Sequence, residues 1–530
     1  MKDTKNVTTK GSGLKVDRRG FVKAAATMGL VASVPAGLLG MTTPAQAAPK
    51  RGGKLRQALV DGSASDSLDP RTLLGSHPIS VSWQVRNNLT EITPDGDLLG
   101  ELAESWEPSN GAKTWTFKLR KGVEFHNGKT LDAKDVVYSI DVHRGETSKS
   151  AAKGIVQSIV DIKADGADTV IFTLMDGNAD FPYVLADHHL VIVIAGTTGA
   201  DWDKGIGTGP YILSQWEPGV RGATRRNPNY FKAGKPYFDE VETLNITDPA
   251  ARTNALLTGD VDVIEEADIK TLSRLQRSGS VVVREAAGTK HYTYPMHTGT
   301  APFGNADFRL AMKYAIDREA LLRTTLRGHG YLGNDHPIGK KQRFFASDLE
   351  QRQMDLDKAK FHAKKANIGN TPIELFASDM YSGSLDAATI LKENAASAGI
   401  NIKLNRQPSD GFWSDVWLKK PFVSVWWGGR PTEDWMFSLA YKLDSSWNDT
   451  AWNNERFQSL LLDARAELDF NKRRDMYWEM QQLMRDDAST LIPVFANWVC
   501  VTSDKVKTPD DISGSWSLDG LRNHERWWFA

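Results

Sequence analysis

The sequence predicts an α/β protein of more than one domain, and three observations carry that reading. The chain's 530 residues exceed what one hydrophobic core usually encloses. Charged residues at 25% and hydrophobic residues at 40% are those of an ordinary folded protein. Short segments of period-two alternation are interleaved with segments of helical period along the whole length, without an internal repeat or a low-complexity tract.

Residues 1–47 read as a targeting segment. A polar, basic stretch ending in Asp17-Arg18-Arg19-Gly20-Phe21-Val22-Lys23 precedes a mildly apolar run, Ala24 to Met41, and then Thr42-Thr43-Pro44-Ala45-Gln46-Ala47. The paired arginines followed by Phe-Val-Lys resemble a twin-arginine export signal. Gly29, Pro35, Gly37 and Gly40 make the apolar run a weak membrane anchor, and Ala45-Gln46-Ala47 offers a cleavage site that leaves Ala48 first. Export to the periplasm is therefore expected. Cys500 is the only cysteine, which excludes an internal disulfide, a cysteine-based metal site and a lipid anchor beside the signal. Without the signal the chain is mildly acidic, a poor composition for a nucleic-acid partner.

Beyond the signal, Gly52 to Val60 reads as a first strand, Ser67-Leu68-Asp69-Pro70 as a turn, and Leu74-Gly75-Ser76-His77-Pro78-Ile79-Ser80, with Trp83, as a loop able to offer polar contacts. Thr114 to Arg120 alternates polar and apolar side chains, and Asn127-Gly128 is a turn of the kind that joins strands. Asp132, with Asp135 three residues on, predicts the capped start of a helix running to about His143. Gly205-Ile206-Gly207-Thr208-Gly209-Pro210 separates that block from a strand at Tyr211 to Leu213, and Arg226 to Tyr230 supplies another turn. Leu310, Ala311, Tyr314, Ala315, Leu321, Leu322 and Leu326 recur at helical spacing, with Asp317 placed to cap a second helix. From Arg456 to Arg485 a similar stripe comprises Leu460, Leu461, Ala464, Leu468, Met476, Met480, Leu483 and Met484; both stripes are expected to be core.

Six motifs taken in chain order resemble the family 5 extracellular solute-binding proteins, the dipeptide, oligopeptide and nickel receptors of bacterial ABC importers. They are Leu99 to Trp106, Thr116 to Lys129, Gly207 to Tyr211, Arg226 to Tyr230, Leu257 to Asp262 and Phe308 to Arg318. The resemblance implies a periplasmic-binding-protein fold of two lobes and three domains, with a hinge and an interlobe cleft. On that pattern domain I comprises 48–90, 207–295 and 490–530, domain II 91–206, and domain III 296–489, with the ligand between domains I and III. It also implies a small-molecule or short-peptide ligand, an ABC permease in the inner membrane as partner, a monomer, and neither cofactor nor resident metal.

Twelve of the 17 tryptophans lie at or beyond Trp413, with Trp413, Trp417, Trp426, Trp427 and Trp435 clustered. Such aromatic residues form either the core of domain III or the wall of a cleft. In the dipeptide and oligopeptide receptors the loop equivalent to Trp427 to Asp434 carries an aspartate that pairs with the peptide amine. Here that position falls on Gly429, between Gly428 and Arg430, or, after a register shift, on Asp434. With Gly429 there, the ammonium partner is replaced by the Arg430 guanidinium, which points to a carboxylate-bearing solute; the alternatives are a solvated Arg430 or one paired with Glu433. Tyr292, Tyr294 and His297, on alternate positions of a strand, form a second candidate wall, and His77 a third contact.

No Gly-x-Ser-x-Gly elbow, His-Glu-x-x-His pair or phosphate loop occurs, and Glu265-Glu266 and Asp486-Asp487 read as exposed charge, so a secreted hydrolase is disfavoured. A receptor for nickel or a metal chelate is the closer rival, with His188-His189, His291 and His297 as candidates. Adjacent histidines on a strand, however, point to opposite faces, which makes His188-His189 a poor chelating pair.

Overall fold

The computed structural model describes residues 49–530 apart from 370, 380 and 382. The targeting segment therefore lies outside the described residues. Among the described residues no helix is long and apolar enough to cross a membrane.

Three sheets organise the chain. The largest has seven strands in the order Val281–Ala286, Trp498–Ser503, Val263–Ile264, Lys54–Leu59, Glu240–Asn245, Arg221–Arg226 and Tyr211–Glu217. Lys54–Leu59 runs parallel to both of its neighbours, while the outer pairings are antiparallel. Its alternation places Leu55 and Leu59 in one apolar cluster with Val241, Val263 and Trp527, and Ala58 in the cluster on the other face with Ile264 and Val501. Val263–Ile264 and most of Lys54–Leu59, at the centre, are buried on both sides, whereas the edge strand Tyr211–Glu217 is partly exposed.

The second sheet, Ala103–Ser109, Thr114–Leu119, Thr169–Leu174 and Ile159–Ala164, is antiparallel throughout. Trp115, Phe117 and Leu119 turn inward against Phe172 and the helix Ala133–Asp141, and the intervening polar side chains turn outward. Asp132 caps that helix by accepting from Lys134 N at 2.8 Å, and Asp135 answers by accepting from Asp132 N at 3.0 Å.

The third sheet, Gly330–Leu332, Thr490–Ala496, His291–Pro295 and Val425–Trp427, is also antiparallel. The helices Ala306–Ala315, Arg318–Thr325 and Ser384–Ser397 pack into one cluster with residues of this sheet, and Asp317 caps the second of them at Ala320 N, 2.8 Å. His291–Pro295 and Thr490–Ala496, assigned to domain I from the sequence, pair within the third sheet. The chain crosses between the large and third sheets at Ala287 to Lys290 and again at Asn497, and the crossings lie side by side, with Ala496 N donating to Lys290 O at 2.8 Å.

Other local expectations are corrected as well. Residues 76–85 are a helix, Ser76–Val85, rather than a loop, and every one of its residues is buried. It was hidden because Gly75 stands where a Ser or Asp cap would announce a helix, and its serines and valines show no polar face. The stripe from Arg456 to Arg485 is two helices, Glu455–Ala466 and Phe470–Asp487, the second capped by Asp469; Leu468 falls in the break and is exposed.

Nor are the paired acids simply exposed charge. Asp487 pairs with Arg309 at 2.6 Å and Asp486 with Arg352 at 3.0 Å. Glu265 is buried, accepting from Ser76 Oγ at 2.5 Å and from Ser517 Oγ, which ties three chain segments together. Burial, with Glu266 adding to it, pushes the Glu265 carboxyl up to about 7, against the hydroxyls of Ser517 and Ser76. Because the folded value lies above the ordinary 4.5, the folded state holds an extra proton in that window and stability falls as pH rises through it. Glu265→Gln is expected to flatten the unfolding temperature against pH between those limits, as read by thermal denaturation; a curve that keeps the wild-type slope would contradict the assignment.

Candidate functional site

The large, second and third sheets with the helices and loops packed on them form three blocks, and a cavity of ≈ 550 Å3, in the size range of small-molecule sites, is lined from all of them. The buried helix Ser76–Val85 brings Trp83, the turn after Phe181–Val184 brings Asp187 to His189, and the loop after Val425–Trp427 brings Gly429 and Arg430. Trp435, Trp447 and Trp516 complete the aromatic wall. Trp447 and Trp516 remain 43% and 38% exposed, a cost in water that is accounted for when they face a ligand.

Gly429 is a packing requirement. A Cβ built there would lie 2.0 Å from both Cβ and Oγ1 of Thr289, so nothing larger than hydrogen fits without moving the Ala287 to Lys290 crossing. Arg430 follows. Its Nη1 donates to the carbonyls of Gly428 at 2.9 Å and Gly429 at 3.1 Å, fixing the guanidinium by one nitrogen. No carboxylate among the described residues lies within ion-pair distance of it, and Glu433, buried, accepts instead from Phe344 N at 2.7 Å. Burial lowers the Arg430 pKa, with Asp187 opposing, yet the group stays a cation at neutral pH. Arg430 is thus not paired with Glu433, and it is half-buried.

The cavity's other cations are already matched. Arg526 pairs with Glu91 at 2.7 Å and Asp519 at 3.0 Å, and Arg522 with Glu101 at 2.7 Å while stacking 4.8 Å above Trp83. Lys232, which is not itself part of the lining, sits among Glu91, Glu101 and Glu525 at 2.6, 2.9 and 3.0 Å. Burial pulls the Lys232 pKa down, but the three carboxylates more than offset it and hold the ammonium well above its ordinary value. These three acids are thus filled by an ammonium, and Arg430 is the cavity cation left to bind.

The remaining candidates lie elsewhere. Asp434 does not face this cavity; it is buried against Arg465 Nε at 3.0 Å in the first turn of the helix Glu433–Ala440, so a register shift cannot make it an amine partner. Tyr292 and Tyr294 are core residues of the third block, Tyr292 with its ring 4.4 Å from that of Tyr381, because both faces of their strand are covered. His297 is exposed past the end of that strand. Trp427 is buried between Trp417 and Trp447, Trp426 stacks under Lys290 at 4.4 Å, and Trp413 packs on Trp417, so this cluster backs the cavity wall rather than forming it. His77 is fully buried, stacked on Trp216.

The strand argument against His188-His189 fails, since the pair lies in a turn. Asp187 Oδ1 accepts from His189 N at 3.0 Å, and this fold brings the two imidazole centroids to 3.9 Å. Burial lowers the His188 pKa to about 4, and His188 and His189 hold Asp187 well below the ordinary range against its own burial. Sequence reasoning also missed Trp447, Trp516 and the paired arginines, which no local pattern marks.

Comparison with known proteins agrees with this architecture. Residues 97–449, more than half of the chain, match the model of the bacterial extracellular solute-binding proteins, family 5. A probable D,D-dipeptide-binding periplasmic protein of Escherichia coli is 26% identical over 477 residues, covering 85% of this chain and 91% of the relative. Among solved structures, the binding protein AgaA of A. tumefaciens R10, in complex with agropinic acid, superposes with a TM-score of 0.72 at 24% identity, over 90% of this chain and 99% of that one. HbpA2 from Haemophilus parasuis superposes with a TM-score of 0.80 at 20% identity, over 90% and 100%.

Proposed function

Since this chain belongs to the bacterial extracellular solute-binding proteins of family 5, the receptors of ABC importers, we propose that it captures a small carboxylate-bearing solute, a short peptide or peptide-like conjugate, and delivers it to the permease. The observation that carries the choice of solute is the Arg430 guanidinium, anchored through Nη1 alone. The Nε and Nη2 edge, which holds a carboxylate through two parallel hydrogen bonds, is unspent in an aromatic cavity. The comparisons are in keeping with this reading, one relative being described as a dipeptide receptor and one structure holding an acid.

Capture works by closure. Solute contacts come from the first two blocks through Trp83, Asp187 and Trp516, and from the third through Arg430 and Trp447. All of them form together only when the two crossings at 287–290 and 497 bring the blocks together, so the solute shifts the population toward the closed form. Micromolar affinity requires about 8 kcal/mol of net binding free energy. One bidentate charge-assisted pair and apolar contacts with four indoles are of that order. The export segment at residues 1–47 fits a periplasmic site of action.

The test is a titration of the mature protein, followed by tryptophan fluorescence, with dipeptides, N-blocked dipeptides, C-amidated dipeptides and amino-acid conjugates. Solutes with a free carboxylate are expected to bind and their amides to fail. Arg430→Ala is expected to weaken binding by roughly 30-fold to 150-fold, about 2–3 kcal/mol, without altering the fold. Equal affinity for acid and amide, or an unaffected Arg430→Ala, would overturn the carboxylate reading.

A further inference from the structure

We propose that Asp449, which does not itself line the cavity, is the positioning residue of its aromatic wall: the carboxylate holds the indoles of Trp417 and Trp427, and through them sets Trp447 and the Gly428 to Arg430 loop against the solute. The inference rests on this cavity being the solute site, and it adds a residue that governs how firmly the third block grips.

Asp449 is 8% exposed, and its Oδ2 accepts from Trp417 Nε1 at 3.0 Å, while Trp427 supplies a second side-chain hydrogen bond. Trp417 lies 6.0 Å from Trp427 and 5.8 Å from Trp447, both edge-on, and Trp427 lies 5.9 Å from Trp447. The cavity-facing ring of Trp447 is therefore oriented by the two indoles that the carboxylate tethers. Trp427 is followed directly by Gly428, Gly429 and Arg430, so the same anchor reaches the guanidinium. The anchor is itself held. Asn448 Oδ1 accepts from Thr450 N at 3.2 Å, Thr450 Oγ1 at 2.7 Å and Ala451 N at 3.0 Å, and Thr298 N donates to Thr450 O at 2.8 Å, tying this loop to the chain that leaves His291–Pro295. No Lys, Arg or His among the described residues pairs with Asp449. For packing alone an apolar side chain would spare the desolvation of a buried charge. What a carboxylate adds is charge-assisted bonds to two indoles, about twice as strong as neutral ones, and hence a fixed wall.

Protonation of this carboxyl separates a positioning role from a packing one. Burial pushes the Asp449 carboxyl up to about 6, and the indole hydrogen bonds, that of Trp417 first, oppose the rise. Because the folded value lies above the ordinary 3.8, the stability this group contributes is fully present below 3.8 and is lost as pH rises through about 6. The charge-assisted hold on the indoles runs the other way, since it exists only where the carboxylate is ionised. Grip on the solute thus strengthens over the range in which the group's contribution to stability is lost. The titratable neighbour is Tyr441, whose hydroxyl burial, and then Asp449, push well above its ordinary value, so it stays neutral. On the adjoining segments Lys442 pairs with Asp444 at 2.9 Å, and Asp415, Lys419 and Lys420 are exposed; none of them contributes to the Asp449 titration.

The test follows the indole N–H resonances of the solute-free mature protein by NMR, with isotope-labelled tryptophan, as pH is carried across about 6. The Trp417 and Trp427 signals, assigned by Trp417→Phe and Trp427→Phe, are expected to shift together with a midpoint near 6, and the shift to vanish in Asp449→Asn, which keeps the size and one acceptor oxygen. Fluorescence titration with the free-carboxylate dipeptides is expected to show affinity roughly 5-fold higher above that midpoint than below it, and Asp449→Asn to stay at the lower level throughout. His189→Gln, which removes a cavity imidazole, should retain the step. Should Asp449→Asn not fold, Trp417→Phe takes its place: loss of one indole donor should raise the midpoint seen at Trp427, and an unmoved midpoint counts against the role. Indole signals that stay still, or move equally in Asp449→Asn, overturn the positioning role, as does a carboxylate affinity that stays flat while they move. Indole signals that move as expected while acid and amide bind alike, or neither binds, overturn the carboxylate reading and leave Asp449 as the anchor of the wall.

Discussion

Asp180→Ala is expected to destabilise the ligand-free protein by roughly 3–5 kcal/mol. Asp180 stands at the N-terminal boundary of the helix Phe181–Val184, beside the second sheet, but its carboxylate makes no cap and instead meets Arg473 at 2.6 Å and Arg343 at 3.2 Å, both from the third block. The contact is reinforced by Ala179 N donating to Arg465 O at 2.7 Å and by Arg343 lying 5.1 Å from the Tyr183 ring. Burial lowers the Arg473 pKa, but Asp180 and Tyr477 more than offset it and raise it overall. Removing Asp180 strands a buried guanidinium, a far costlier change than removing both partners. Thermal unfolding monitored by circular dichroism should show the large loss in Asp180→Ala and a substantial recovery in the double variant Asp180→Leu with Arg473→Met. Solute affinity should fall in the single variant, because the pair joins the blocks that must close. A loss under about 1 kcal/mol would mean that the pair is hydrated and does not clasp the blocks.

Gly429→Asp is the second large effect. It places a side chain where Thr289 leaves no room, at 2.0 Å, and sets a carboxylate beside Arg430, whose free edge it would occupy. Overpacking predicts a loss of stability of about 1–3 kcal/mol, and loss of the solute's charge-assisted pair a separate drop in carboxylate affinity of about 2–3 kcal/mol. Thr289→Gly added to Gly429→Asp should restore the unfolding temperature without restoring carboxylate binding, and should favour solutes with a free ammonium group. Fluorescence titration and thermal unfolding separate the two contributions. Unchanged stability and affinity in Gly429→Asp would show that the loop is not packed on Thr289.

The fold was legible in the sequence wherever a single segment carried its own signal. Thr114 to Leu119 alternates cleanly because one face meets a core, and Asp132 and Asp317 announce their helices because they cap them. The buried helix Ser76–Val85 carried no such contrast, being covered on all sides. For the site, the Trp427 to Asp434 loop was singled out by its clustered tryptophans and by the family resemblance, and within it Gly429 and Arg430 line the cavity whereas Asp434 is held by Arg465. The tyrosines of His291–Pro295 were misread because a central strand buries both of its faces, so alternation cannot select one for the cleft. His188-His189 was set aside on an assumed strand geometry that a hydrogen-bonded turn replaces. Trp447, Trp516 and Arg522 become neighbours only through long-range packing, as the separation of Arg522 from Glu101 illustrates.

The network that surrounds Lys232 also imposes an order on biosynthesis. Glu91 and Glu101 leave the ribosome long before Arg522 and Arg526, the partners that neutralise them in the folded protein. At about 5–20 residues per second, the nascent chain spends some tens of seconds with those carboxylates and Lys232 incompletely matched. The second sheet has all four of its strands between Ala103 and Leu174 and can form early, but the wall that holds Trp83, Arg522 and Arg526 closes only after translation has reached the end of that network. The cavity wall is therefore completed much later in synthesis than the second sheet, once Arg522 and Arg526 can reach Glu101 and Glu91.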